Sequence, residues 1–237
     1  MVAHVDVPDR TGRPRPRRQG PPLPLPALAW AGLTVAGAVL HPGTRPGDGA
    51  ATTLATLQAA PAVGPLSAML LVASAIPLAV WAATAHQRLH TLGVRVAGPT
   101  IGLVGAVVAA VALAVSGLAA WTASGVAGLD DAPLAHALTL LAFGAGGPVF
   151  ALGFGLLIAG VAVPALILRL VPRALAVAGL VVAGVGAVAV LVLVVPGLAP
   201  VLPVVRFGGL LWLVVTSFVL PKSRSRRELL ISPQAAP

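Results

Sequence analysis

The sequence predicts an all-α fold, a bundle of six transmembrane helices with both termini in the cytoplasm. Apolar residues make up 58% of the 237 residues and charged residues 9%, whereas soluble domains carry about 25% charged residues. Several apolar stretches approach the roughly 20 residues that a helix needs to cross a bilayer. Basic residues lie in short groups between these stretches, as they do in membrane proteins with a defined topology.

The first apolar stretch, 23–40, is the shortest of the six. It begins within a proline-rich run, where Pro26 can occupy a first helical turn because its missing N–H would be unpaired there. A cleaved secretory signal is the alternative, since a basic region, an apolar stretch and the small residues 36–38 follow in the order of such a signal. The stretch is longer than a usual signal core, which favours a retained span.

Five further stretches are long and apolar enough to cross a membrane. They cover residues 63–85, 97–120, 148–168, 174–195 and 201–220. The transmembrane domain therefore extends over 23–221, between basic tails at 1–22 and 222–237 that are expected to be disordered because they cannot bury a core. No internal repeat relates the two halves, so an inverted-repeat transporter is not indicated.

Residues 132–168 are too many for one straight span and too few for two spans with a turn. The glycines of 144–147, followed by Pro148, favour a helix that starts at Pro148 and is preceded by a short outer interfacial helix over 132–143. The alternative is one long helix kinked near Pro148, which neighbouring helices can support by bonding to the freed carbonyl.

The distribution of basic residues predicts the orientation of the bundle. Thirteen of the fifteen are cytoplasmic if the N-terminus is inside: Arg10, Arg13, Arg15, Arg17, Arg18, Arg88, Arg95, Arg169, Arg173, Lys222, Arg224, Arg226 and Arg227. The outer segments keep Arg45 and Arg206 beside three aspartates, an asymmetry that obeys the positive-inside rule. A seventh crossing would move the basic C-terminal half outside.

The bilayer is the first partner that the sequence implies. Four cations in 222–227 follow the last span, and each is worth about 1 kcal/mol next to the anionic lipids of the inner leaflet. The basic groups do not follow one polar face, which argues against nucleic acid as a partner. Arginine outnumbers lysine fourteen to one, a bias of high-GC bacteria, so a bacterial plasma membrane is the expected location.

Small residues recur at four-residue intervals and make flat faces on which helices can approach closely. The sets are Gly98 and Gly102; Ala151, Gly155 and Ala159; and Gly179, Ala183 and Ala187. Such faces serve packing within one bundle, a homo-oligomer or a membrane-protein partner. Trp81 and Trp121 lie near span ends, where tryptophan commonly anchors a helix among the headgroups.

Arg206 is the ionisable side chain placed within a span, near its outer end, and no Asp, Glu or Lys lies inside any of the six spans. Ionisable groups at membrane depth are costly and often functional. Arg206 is therefore a candidate to hold an anion from outside or to pair with Asp130 or Asp131. The alternative is a side chain that snorkels to the headgroups.

The remaining candidates are histidines and aspartates near the membrane surfaces. His86 and His90 lie four residues apart at the cytoplasmic end of a span, a spacing that suits a metal or haem iron, although a solvated helix end is the alternative. A metal or pH-sensing cluster is a hypothesis for four residues of the outer side. These four are His41, His136, Asp130 and Asp131.

No catalytic motif accompanies these candidates. The chain has no cysteine and no serine-hydrolase, zinc-protease or phosphate-loop motif. Hydroxyls inside spans usually bond to helix backbone; those at or near membrane depth are Ser74, Ser116, Thr139, Thr216 and Ser217. The sequence thus predicts a protein that is not an enzyme and holds no cofactor.

Three features of the C-terminal half occur together: a Gly-rich stretch at 153–157, an inner turn at 169–175 with Pro172 before Arg173, and Trp212 in the last span. In these features the chain resembles a broad bacterial, actinobacterial-type family of small six-span membrane proteins of unknown function. Val171 stands where that family commonly has leucine. The resemblance implies a six-helix bundle and supplies no substrate or catalytic residue.

Three functions fit these observations. The first is a small multispan membrane protein without catalysis that acts through helix packing or a membrane partner. The second is a transporter or permease, or its membrane subunit, for a small and weakly polar molecule, because such a pathway needs no buried charge. The third is an outward-facing sensor or metal-binding protein built on the histidines and aspartates of the outer side.

Overall fold

The computed structural model describes residues 22–221, which form helices and turns and, within that range, no β-strand. The predicted all-α fold is confirmed for this part of the chain, and the expected basic tails lie outside it apart from Pro22. The elements in chain order are α1 Pro24–Val39, α2 Ala50–Ala59, α3 Val63–Thr91, α4 Gly98–Ala127, α5 Ala132–Gly144, a first π-helical turn Ala145–Val149, α6 Phe150–Ile167, α7 Arg173–Val188, two 3-10 turns Ala189–Leu193 and Pro196–Leu198, α8 Val201–Pro203, a second π-helical turn Val204–Gly208 and α9 Gly209–Val219.

Five helical rods are long and apolar enough to cross a membrane, which makes this chain a multi-pass membrane protein. The rods are Val63–Thr91, Gly98–Ala127, Ala132–Ile167, Arg173–Leu193 and Pro196–Val219. The sixth apolar helix, α1, has 16 residues and spans about 24 Å, less than a hydrocarbon layer of about 30 Å. Trp30 and its other buried residues pack α1 against the bundle.

Rods that follow one another along the chain run antiparallel, so their ends collect on two sides of the bundle. Near one side, Ser67 at the start of α3 donates to Gly37 O at the end of α1. On the other side, His86 Nδ1 at the end of α3 lies 3.0 Å from Pro99 O at the start of α4. The first side carries Asp48, Asp130 and Asp131 and is named the acidic end; the second carries Arg88, Arg95, Arg169 and Arg173 and is named the basic end.

The segments α5 and α6 belong to one continuous rod of 36 residues, Ala132–Ile167. The prediction of a separate interfacial helix over 132–143 is therefore wrong, and the alternative of one long helix is correct. Pro148 has no N–H to donate, and the wide turn around it absorbs this defect without ending the helix. The N–H of Phe150 bonds to Ala145 O, so Gly146 O loses its usual helical donor.

Glycines allow α4 and α6 to cross at backbone contact. A Cβ at Gly105 would stand 2.6 Å from Gly153 O, and a Cβ at Gly153 would stand 2.7 Å from Ala109 N. The helices α6 and α7 approach in the same way, since a Cβ at Gly186 would lie 2.7 Å from Ala151 O. These small residues therefore serve packing within the bundle.

Two tryptophans join helices inside the bundle. Trp81 is fully buried and donates from Nε1 to Ser217 Oγ at 2.7 Å, so its predicted role as an interfacial anchor is wrong. Trp212 donates from Nε1 to Leu175 O at 2.8 Å and connects α9 to α7. Trp121 is 60% exposed near the acidic end, where an interfacial anchor is expected.

Candidate functional site

A cavity of about 480 Å³ opens at the acidic end, between the loop after α1, the helices α3, α4 and α5, and the second π-helical turn. Its wall is largely apolar and its size suits a small organic molecule. The polar lining residues are His41, Thr44, Ser67, Ser116, Ser124, Thr139 and Arg206. Within the described residues, no Asp or Glu lines the cavity.

Arg206 reaches this cavity from the second π-helical turn. It lies about ten residues, or about 15 Å of helix, from Pro196 and about 13 residues from Val219, which is deeper than the sequence indicates. Its Nη2 donates to Gly146 O at 2.7 Å, the carbonyl that has lost its helical donor. The guanidinium therefore points into the bundle and does not snorkel to the headgroups.

Aromatic rings lie between this cavity and the basic end. The guanidinium carbon of Arg206 is 4.8 Å from the ring centroid of Phe150, within the range of a cation–π interaction. Phe150 stacks on Phe154 with centroids 5.1 Å apart, and Trp30 of α1 lies 5.1 Å from Phe154. All three rings are buried, so they form a floor beneath Arg206.

Ser116 of α4 adds a hydroxyl to the wall near Arg206. Its Oγ donates to Ala142 O at 2.7 Å, which uses the hydroxyl hydrogen and leaves the oxygen as an acceptor. Gly146 permits this approach, because a Cβ at that position would collide with Ser116 Oγ. The same Cβ would lie 4.0 Å from Nη2 of Arg206. Gly146 thus lets the hydroxyl, its own carbonyl and the guanidinium meet.

His41 lines the mouth of the same cavity. Its Nδ1 accepts a hydrogen bond from Gly43 N at 3.0 Å, which assigns the proton of the neutral ring to Nε2. Partial desolvation of the ring against the cavity wall and, second, the positive charge of Arg206 lower the pKa of His41 from its ordinary value, although the residue keeps an exposed face. A neutral His41 at pH 7 is therefore favoured.

The other predicted residues of the acidic end form bonds elsewhere. His136 Nδ1 lies 3.1 Å from Thr53 Oγ1 of α2. Gln58 donates to Asp130 at 2.6 Å, and Asp131 caps the first turn of α5. Within residues 22–221, no three His, Asp or Glu side chains lie close enough together to hold a metal ion. The hypothetical four-residue outer cluster is not assembled in this structure.

His86 and His90 lie at the basic end with their rings 4.5 Å apart, edge to face. His86 Nδ1 is 3.0 Å from Pro99 O, so this ring joins α3 to α4, while His90 is exposed. In the described part of the chain, these two histidines have no third ligand beside them. This arrangement favours a solvated helix end over a metal site.

The cavity combines a few hydrogen-bonding side chains and one cation with a mostly apolar wall. A nucleophilic hydroxyl needs a base as its partner, and Ser116 instead donates to a backbone carbonyl. Among residues 22–221, no carboxylate in this mostly apolar wall balances the positive charge of Arg206. Since Coulomb interactions strengthen as water is excluded, this charge attracts an anion.

Sequence reasoning identified Arg206 and noted Ser116 and Thr139, but it missed Gly146 and Phe150. The run 144–148 predicts a break between helices, with a new helix starting at Pro148. Glycine and proline inside a long apolar run also mark π-helical turns, which are frequent at functional sites, so this run already indicated that residues 146–150 could belong to a site.

No protein-family model, curated protein or solved structure matches this chain.

Proposed function

We propose that this chain is a non-catalytic membrane protein that binds a small organic anion in the cavity around Arg206. One observation carries the proposal: within the described residues, the wall that surrounds this arginine contains no carboxylate. Arg206 is half-buried, and a charge that loses part of its water is costly unless it is paired, whereas Gly146 O offers a dipole and not a charge. A bound anion would supply the missing partner.

The ligand class follows from the donors and the wall. The guanidinium has five N–H donors in a planar fork, and the bond to Gly146 O uses one of them. The remaining donors can hold a carboxylate, sulfonate or phosphate group. Leu71, Leu202 and Phe143 line other parts of the cavity and suit a hydrocarbon body. A cationic ligand would be repelled by Arg206.

Transport is the second candidate function. A transported anion would have to pass the floor of Phe150, Phe154 and Trp30, so transport requires these rings to move. The two π-helical turns that border the cavity, Ala145–Val149 and Val204–Gly208, are irregular points at which a helix can rearrange. This observation favours a permease, or its membrane subunit, over a purely structural protein.

A binding experiment tests the proposed function. In lipid nanodiscs, the protein should bind 2-naphthalenesulfonate, an aromatic anion, above the level of empty nanodiscs. Arg206→Gln should weaken the binding about 10- to 100-fold, because hydrogen bonds to a charged group are worth about 1.5–3 kcal/mol. Equilibrium dialysis measures both affinities. The cation 2-naphthylmethylammonium, which has a similar size, should not bind above the level of empty nanodiscs.

Arg45→Gln is the matched control, because Arg45 is an exposed arginine at the same end that does not line the cavity. It should leave the affinity for the sulfonate unchanged. Arg206→Lys keeps the charge and should retain part of the binding, which separates loss of charge from loss of folding. Equal affinity of the folded Arg206→Gln variant and the original protein would show that the proposed site is wrong.

We further propose that the acidic end faces outward across a bacterial plasma membrane, with six crossings and cytoplasmic termini. Thirteen of fifteen basic residues then lie inside, as the positive-inside rule requires. The proposal includes anionic lipids as partners of the basic end, and a second copy or another membrane protein as a partner of lipid-facing helices. It also includes membership of the six-span bacterial family that the C-terminal half resembles.

Reporter fusions should reveal this orientation. Alkaline phosphatase, which is active only outside the cytoplasm, should be active when inserted at Gly47 in the acidic-end loop. It should be silent when inserted at Gly93 in the basic-end turn or fused to the C-terminus, because the cations beside these sites hold them inside. The reverse pattern of activity would contradict the orientation, and activity at Gly47 together with the C-terminus would contradict six crossings.

A further inference from the structure

We propose that an anion and a proton bind this cavity together, the anion at Arg206 and the proton at His41. The inference rests on the proposed function and adds a second, titratable ligand to it. Its basis is geometric, because both side chains line one cavity. The sulfonate, carboxylate or phosphate group that Arg206 attracts would therefore enter a space that His41 also borders.

The charge of Arg206 links the two binding events. In the free protein, that charge adds to the partial desolvation of the ring in lowering the pKa of His41. An anion at Arg206 offsets the positive charge and adds a negative one to the cavity, so the pKa of His41 rises in the complex. Between the free and bound pKa values, anion binding is then accompanied by a net uptake of protons from the solvent onto Nδ1 of His41.

The other charged groups of the acidic end are placed away from the cavity. They are Arg45 and Asp48 in the loop of His41, Asp130 and Asp131 in the turn between α4 and α5, and His136 on α5. Within the described residues, none of these five lines the cavity, and the lining residues of α2, α3 and α4 are uncharged. Arg206 is therefore the charge in this wall that a ligand would neutralise.

Protonation of His41 also changes a hydrogen bond at the mouth. Nδ1 accepts from Gly43 N in the structure, and a protonated Nδ1 cannot accept. Proton uptake would therefore release the Gly43 N–H. Gly43 has a φ of +88°, a backbone conformation that glycine adopts readily, so this loop can rearrange when the cavity is filled.

The test measures 2-naphthalenesulfonate affinity between about pH 5 and pH 8, where the sulfonate stays ionised. By linkage, affinity is highest below the free pKa of His41 and falls as the pH rises through the bound pKa. A difference of about one pKa unit gives an affinity about tenfold higher at the acidic limit. With the same difference of about one pKa unit, calorimetry in buffers of different ionisation enthalpy should show a net uptake of about half a proton per anion at the pH midway between the two pKa values.

His41→Gln should bind the sulfonate with the affinity that the original protein has at pH 8, and with no dependence on pH. His136→Gln is the matched control and should keep the pH dependence, because His136 bonds to α2 outside the cavity. A pH-independent affinity in the original protein, or a pH dependence that survives in His41→Gln, would overturn the inference while leaving the anion site intact. Absence of sulfonate binding at every pH would overturn the proposed function itself.

Discussion

Replacing Gly153 with leucine should largely abolish folding of the bundle. A Cβ at this position would stand 2.7 Å from Ala109 N and 2.8 Å from Gly105 O, and these are backbone atoms that cannot move aside separately. The helices α4 and α6 would have to separate along their whole contact, which is among the most extensive in the structure. Overpacking commonly costs about 1–3 kcal/mol even where side chains can yield, so a larger loss is expected here. Thermal unfolding followed by size-exclusion chromatography measures the folded fraction.

Gly184→Leu provides the matched control on α7. A Cβ there would meet no atom of the described residues within 4 Å, and Gly184 is exposed. We expect this variant to unfold at nearly the same temperature as the original protein, since the leucine would project toward lipid. Similar losses in Gly153→Leu and Gly184→Leu would contradict the backbone contact of α4 with α6.

Phe154→Ala should give the second-largest loss of stability. Phe154 is fully buried, lies between Phe150 and Trp30 in the floor beneath Arg206, and covers Gly209 of α9. Removing a buried phenylalanine ring typically costs about 3–5 kcal/mol, because packing is lost and a cavity remains. Thermal unfolding in detergent, monitored by the fluorescence of the tryptophans, measures the change.

Phe218→Ala is the control for this substitution, because Phe218 is 63% exposed on the surface of α9. Its ring contributes little to internal packing, and we expect an effect within about 0.5 kcal/mol, as for other exposed positions. If Phe154→Ala and Phe218→Ala unfold at the same temperature, the stacked rings contribute little to the stability of the bundle.

The helical class of the fold is readable from the sequence because lipid imposes two strong constraints. A span must be long and apolar, and its backbone must satisfy its own hydrogen bonds. The rules by which glycine and proline predict the end of a helix in water-soluble proteins fail where neighbouring helices satisfy the backbone, as near Pro148. Glycines and a proline normally end a helix, yet here the rod continues through a π-helical turn, and Arg206 donates to the carbonyl that this turn leaves without its helical donor. That donor comes from a residue 60 positions away, which local pattern cannot supply.

The sequence identifies the principal residue of the site, but it does not identify the residues that surround it. Arg206 is identified because a cation within an apolar span is rare, but its depth and its partner Gly146 depend on how two rods pack. His41 and His136 are equivalent in sequence terms, as both lie near the acidic end. The structure separates them, because His41 follows α1 into the cavity whereas His136 turns toward Thr53.

Trp81 illustrates a different limit. Tryptophan near a span end usually lies among headgroups. From sequence alone, the position along the span is the main indication of whether the ring contacts headgroups or other helices. The structure buries this ring because Ser217 offers its indole N–H a partner inside the bundle. A polar side chain on a neighbouring helix therefore decides between two positions that hydropathy treats as equal.

A π-helical turn contains one more residue than the α-helical turn it replaces. Each residue of an α-helix rotates the side-chain direction by about 100°, so the insertion shifts the phase of everything that follows. In the long rod this phase shift lets α5 pack on α2 while α6 packs on α7. A chain with one residue fewer between Ala145 and Val149 would restore the α-helical phase and rotate α5 away from its neighbours. It would also return Gly146 O to its helical donor, so the bond that orients Arg206 in the cavity depends on a single added residue in one helix.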